Sequence, residues 1–216
     1  MDFTFLPDYY SYFLNGAWKT LQLSFFSVIA GTLLGVLVAL MRLSSNWILK
    51  AISATYVEII RGTPMLVQIF IIYYGLAEFG IVMSAFVSGI FALSLNIAAY
   101  MSEVFRAGID AIDKGQMEAA RSLGMTRSMA MRHIILPQAF RNMLPAIGNE
   151  FIVIIKDSSL VSVIGIGELM YNADVVRGVT FIPLEPLLVA ALIYLIMTFT
   201  LSKLLGRLER KLKRSA

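Results

Sequence analysis

Leu21 to Met41 contains no charged side chain, and this stretch constrains the fold more than any other feature of the chain. A membrane helix needs roughly 20 mostly apolar residues, and lipid leaves every backbone N–H and C=O to be satisfied within the segment. Gly80 to Ser102 is a second such stretch, with Ser84, Ser88, Ser94 and Asn96 as its polar interruptions. Pro186 to Ser202 is a third, slightly short, and it extends through Lys203 if that amine snorkels to the interface. Two further spans carry charges. One runs from about Ile52 to Ala77 through Glu58, Arg61 and Pro64; the other runs from about Asn142 to Gly165 through Glu150, Lys156 and Asp157. The expected fold is therefore an all-α membrane protein with five transmembrane helices, forming one domain over residues 1–216.

Composition agrees with a lipid solvent. Charged residues make up 15% of the chain and hydrophobic ones 58%, where a soluble domain carries about 25% charge. With no cysteine and His133 as the single histidine, disulfides, thiolate sites and multi-histidine metal sites are excluded. A net charge of +4 invites a nucleic-acid reading, but the basic residues flank the spans, so they report topology instead. Asp2 and Asp8 precede the first cation, Lys19, which does not fit the basic start of a cleavable signal peptide. Phe3, Phe5, Tyr9, Tyr10, Tyr12, Phe13 and Trp18 instead resemble an interfacial aromatic segment leading into span one.

Lysine and arginine set the expected orientation. Arg106, Lys114, Arg121, Arg127, Arg132 and Arg141 lie between spans three and four; Arg207, Arg210, Lys211, Lys213 and Arg214 follow span five. Arg42 and Lys50 lie between spans one and two, whereas the opposite side offers little beyond Lys19 and Arg177. This bias puts the N-terminus outside and the C-terminus in the cytoplasm, and an odd number of spans agrees by putting the termini on opposite sides. Glu168 to Glu185 reads as an external loop, with a buried half-helix as the alternative.

The loop of about residues 110–137 is a charged island in this greasy chain. Lys114 to Arg132 favours helix, interrupted at Gly124, where glycine permits a sharp turn. Two short helices meeting at Gly124 would form a knob with Ala119 and Ala120 on its tip. Leu136-Pro137 then opens the fourth span, since proline is tolerated in a first helical turn. A simpler possibility is an amphipathic interfacial helix that binds anionic lipid through its arginines. Such a helix has no need of the fixed spacing Glu118-Ala119-Ala120, Gly124, Ile134, Leu136-Pro137.

That spacing, E-A-A-x-x-x-G-x9-I-x-L-P, resembles the signature loop of ABC-importer permease subunits. Three other segments extend the likeness over nearly all of the chain: Val57 to Pro64, Ala99 to Ile109, and Lys156 to Val161. Together they resemble permeases of polar amino-acid importers, the histidine/glutamine/arginine class. The resemblance implies a type I importer permease fold with a cytoplasmic coupling-helix loop. It also implies a second permease (a copy or a paralogue), two cytoplasmic ABC ATPase subunits, and an extracytoplasmic amino-acid-binding protein, in the bacterial inner membrane. Glu118, Ala119, Ala120, Gly124, Leu136 and Pro137 would dock the ATPase. The chain holds no G-x-x-x-x-G-K-[ST] loop, so ATP and its hydrolysis belong to the partner, and no cofactor is expected here.

Charges at bilayer depth cost several kcal/mol and point to function. Glu150 and Asp157 stand within about 20° of each other on one helix and roughly 10 Å apart along it. Two acids on one face suit an ammonium and a cationic side chain, with Asn96 and Thr63 as hydrogen-bonding neighbours. Glutamine-carrying members of the class commonly have an amide in place of Glu150, which tilts the expected cargo toward arginine, lysine or histidine. The alternatives are glutamine or glutamate in the same complex type, or a proton-coupled secondary transporter. The latter would bring inverted repeats, and none is visible. Structural roles also stand open: Lys156 or Arg61 neutralising an acid, Glu58 pairing with Arg61 one turn on, and Gly62-Thr63-Pro64 as a simple kink rather than a substrate-facing break. Gly31 and Gly35 form a G-x-x-x-G that permits close helix packing.

Overall fold

The computed structural model describes the backbone of residues 1–214 and the side chains of residues 1–210, and its regular structure is helical throughout. Helix α1 (Leu6–Leu43) starts well before the apolar run, with Pro7 in its first turn, where no N–H is missed. The aromatic opening therefore belongs to the helix. Phe13 is buried while Tyr10, Tyr12 and Trp18 stay exposed, as rings at a membrane interface do.

Helix α2 (Trp47–Gly62) is capped by Asn46, whose side chain accepts from the Ile48 N–H at 2.9 Å. It stops because Pro64 drives Thr63 out of the helical region, to φ −116° and ψ 143°. Helix α3 (Met65–Phe70) leaves at 110° and continues through a wide π-turn (Ile71–Gly75) into the short α4 (Leu76–Glu78). The span expected from about Ile52 to Ala77, interrupted at Pro64, is two helices around a sharp corner rather than one helix with a simple kink.

Helix α5 (Ala85–Asp110), capped by Ser84, lies along α1 as the central pair of the molecule. The glycine pair makes this possible. A Cβ on Gly31 would sit 2.6 Å from Ile97 Cβ, and one on Gly35 would sit 2.5 Å from Met101 Cβ. Ile97 and Met101 are both fully buried in that seam.

Next come α6 (Lys114–Ser122), α7 (Arg127–Ala130), a second π-turn (Met131–Ile135) and α8 (Leu136–Asp157). Pro137 has no N–H, and its ring would crowd the His133 carbonyl in a regular helix; the wide turn just upstream absorbs that conflict. Gln138 then donates from its side chain to the Ile134 carbonyl at 2.8 Å. A 3₁₀ turn (Ser158–Ile164) ends α8 at Gly165, whose φ is 79°.

Of the two expectations for Glu168 to Glu185, the external loop is corrected and the buried half-helix holds, as α9 (Leu169–Thr180). Leu169, Ala173 and Val176 repeat at helical spacing and are buried with Phe5 and Phe13 in one apolar cluster. This amphipathic half-helix is too short to cross lipid, so hydropathy alone conceals it. Helix α10 (Glu185–Arg214) closes the fold, and the Lys203 ammonium sits 5.1 Å over the Phe199 ring. Lys211, Lys213 and Arg214 of the expected cytoplasmic cluster lie outside the described side chains.

By length and composition, α1, α5 and α10 suffice to cross a membrane, and the bent α2–α3/α4 pair is long and apolar enough for a fourth crossing if it counts as one broken span. The fifth element, α8, carries Arg141, Glu150, Lys156 and Asp157. It is held by packing against α5 and α10 rather than by its own apolarity.

Candidate functional site

The corner at Thr63-Pro64 opens one wall of a cavity of about 460 Å³, and α8 supplies the opposite wall. Thr63, Asn96, Glu150 and Asp157 all line it, joined by Met65 and Tyr100. Sequence reasoning named the first four from three separate spans, and the fold brings them together. The two acids share the cavity because seven residues are close to two turns of helix.

A buried amide builds the corner. Gln68, 7% exposed, donates to the Ile60 carbonyl at 2.7 Å, to the Thr63 carbonyl at 3.0 Å and to Thr63 Oγ1 at 2.9 Å. These carbonyls lost their helical partners when α2 stopped, and an unpaired backbone carbonyl in lipid is costly. Gln68 Oε1 accepts from Asn96 Nδ2 at 3.0 Å. The Asn96 N–H₂ is therefore engaged, leaving its Oδ1 as the acceptor available to the cavity. Sequence reasoning missed Gln68 and Tyr100. A lone amide in the apolar run Met65-Leu66-Val67-Gln68-Ile69-Phe70, one turn past a break, was the available signal.

The ion pairs that stood open as structural alternatives are absent among the described residues. Lys156 is exposed and holds neither acid within ion-pair distance, and Glu58 does not pair with Arg61. The Arg61 guanidinium lies instead 5.6 Å from the centre of the Tyr100 ring. A different ionic ladder joins α1 to α5: Arg42 pairs with Glu103, which also takes Arg106 at 2.8 Å, and Arg106 reaches Asp110 at 3.1 Å.

That ladder ends where the elbow begins. Asp113 caps α6 by accepting from the Gly115 N–H at 2.7 Å. Gly124 has φ +83° with open space around it, so its backbone conformation, not crowding, demands glycine. Arg121 braces the turn by donating to the Met125 carbonyl at 2.9 Å, and Thr126 caps α7. Glu118 and Ala119 are exposed, but Ala120 is 1% exposed. The expectation of both alanines on the tip is corrected: Ala119 is exposed there and Ala120 is buried. Leu123 takes the outer position at 83% exposure, with Met129, Leu136 and Pro137 also exposed along the elbow.

At the far end of the molecule Glu168 is fully buried, a position the loop reading missed. It accepts from the Met170 N–H at 2.9 Å, the Tyr171 N–H at 2.7 Å and the Tyr194 hydroxyl at 2.7 Å. It thus caps α9 and ties it to α10.

Residues 31–214 match the family described as binding-protein-dependent transport system inner membrane component. A probable glutamine ABC transporter permease of Bacillus subtilis is 40% identical over 100% of both chains. An arginine transport system permease of the same species is 41% identical over 99% of this chain and 98% of its own length. The nopaline transport system permease of Agrobacterium fabrum is 43% identical over 94% and 89%. Among solved structures, an amino acid ABC transporter crystallised with histidines superposes with a TM-score of 0.94, at 50% identity over 98% of this chain and 99% of that one. An inward-facing MetNI methionine ABC transporter shares the fold at a TM-score of 0.76 and 20% identity, over 93% and 95%. The chain belongs to this family of inner-membrane transport components, among its amino-acid ABC permeases.

Proposed function

We propose that this permease carries a basic amino acid through the cavity between α3, α5 and α8. In this reading Glu150 and Asp157 take the ammonium and the cationic side chain, while Asn96 and Thr63 supply neutral acceptors. The observation that carries the reading is the gathering of all four residues around one cavity with no lysine or arginine paired to either acid among the described residues. Uncompensated acids inside a bilayer are expensive, and a cationic cargo removes the cost while it is bound.

ATP is bound and hydrolysed by two cytoplasmic ABC ATPases that dock on Glu118, Ala119, Gly124, Leu136 and Pro137, with buried Ala120 packing the elbow from within. A second permease completes the membrane pair, and an extracytoplasmic binding protein delivers the amino acid. The N-terminus lies outside and the C-terminus in the cytoplasm, which the run of basic residues around the elbow supports. ATPase closure moves the elbow, rocks the helices and exposes the cavity to alternate sides.

Proteoliposomes holding the assembled complex test the cargo. Glu150→Gln removes a charge without changing shape, so arginine uptake should fall about tenfold, the equivalent of one lost charge-assisted contact. Glutamine uptake should change little. Equal losses for both cargoes would leave Glu150 a structural residue.

A further inference from the structure

Charge accounting leaves one part of the cargo unserved. A basic amino acid presents two cationic groups and one carboxylate, and the residues lining the cavity offer two acids but no cation. A carboxylate brought into a bilayer without a partner carries a heavy desolvation cost. Two unpaired cations adjoin the lining in sequence, Lys156 next to Asp157 and Arg61 two residues before Thr63, and of these Arg61 lays its guanidinium against a lining ring. Arg61 lies in the last turn of α2, it is exposed, and its guanidinium rests 5.6 Å from the ring centre of Tyr100, itself a cavity wall. Among the described residues, no carboxylate lies within ion-pair distance of it.

We infer that Arg61 binds the cargo's α-carboxylate and makes the site selective for an intact amino acid over a simple diamine or guanidine. The guanidinium fork matches a carboxylate with two parallel hydrogen bonds, and the face of Tyr100 contacts the cation without consuming its donors. Arg61, Glu150 and Asp157 together carry one positive and two negative charges, the complement of a basic amino acid. Stacking on an aromatic face, rather than salt-bridging to Glu58, leaves the cation free to be used.

This inference rests on the basic-cargo reading, and binding measurements separate the two. The probes are radiolabelled arginine and agmatine, which is arginine without its carboxylate, added to the permease–ATPase complex in nanodiscs with no binding protein present. Wild type should hold arginine about tenfold more tightly than agmatine, the value of one bidentate charged contact. Arg61→Gln should weaken arginine to the level of agmatine and leave agmatine unchanged, and Arg61→Lys should restore part of the difference. A merely architectural Arg61 would weaken both ligands together, which overturns the inference. So would a wild type that binds arginine and agmatine alike, a result that needs no variant to fold and leaves the basic-cargo reading standing. If wild type binds neither, the cargo reading falls and the Arg61 assignment falls with it.

Discussion

Gln68 shows how much one side chain can decide. Its amide meets two carbonyls left open where α2 stops and orients Asn96 in the same stroke. Gln68→Leu keeps the volume but leaves those groups unpaired, at about 1–3 kcal/mol for each buried group stranded. The thermal midpoint of the purified complex should drop, and the permease should lose discrimination between arginine and glutamine because Asn96 is free to flip. A variant with an unchanged midpoint and unchanged discrimination would contradict this account of the corner. The acids were legible in the sequence because a charge inside an apolar run stands out and a seven-residue spacing fixes the face. Gln68 was not legible, because a neutral amide in a helix reads as ordinary until the carbonyls it meets are known. Arg61 is a subtler case: its sequence neighbour Glu58 offered a local pair, and only the fold reveals that Tyr100 took the guanidinium instead.

Among the elements, α1 and α5 form the frame on which the rest is hung. Gly35 lets the two helices touch, since a Cβ there would lie 2.5 Å from Met101 Cβ and 3.2 Å from the Ala98 carbonyl. Gly35→Leu therefore forces the seam apart, at about 1–3 kcal/mol or more for an overpacked interface. The expected result is a lower yield of assembled complex and a lower midpoint in detergent, whereas Leu33→Ala on the exposed face of α1 should change neither. If Gly35→Leu matched wild type in both measurements, the close α1–α5 seam would be wrong. Three apolar helices were legible because lipid itself writes their composition. The 110° corner was legible only as a break at Pro64, since its angle depends on tertiary hydrogen bonds from Gln68. Helix α9 was legible only as an alternative to a loop, because its buried stripe is short and its period stands out only beside the cluster it fills.

At the scale of the whole molecule, the cavity and the elbow lie on the same element. Helix α8 carries Pro137 at one end and Asp157 at the other, and the ladder from Arg42 through Glu103 to Asp110 fastens the start of the elbow to α1 and α5. A push on the elbow therefore acts along one continuous helix, Pro145 inside it, whose far half forms the cavity wall, so the two sites can move together. Gly124 is the point where that push enters the chain, and its φ of +83° makes any branched residue strained by about 1–3 kcal/mol. The most direct test is to measure ATP hydrolysis and arginine uptake together in proteoliposomes holding the Gly124→Val complex. Hydrolysis that continues while uptake collapses is the predicted result; uptake that keeps its wild-type rate per ATP hydrolysed would show that the elbow does not couple the two.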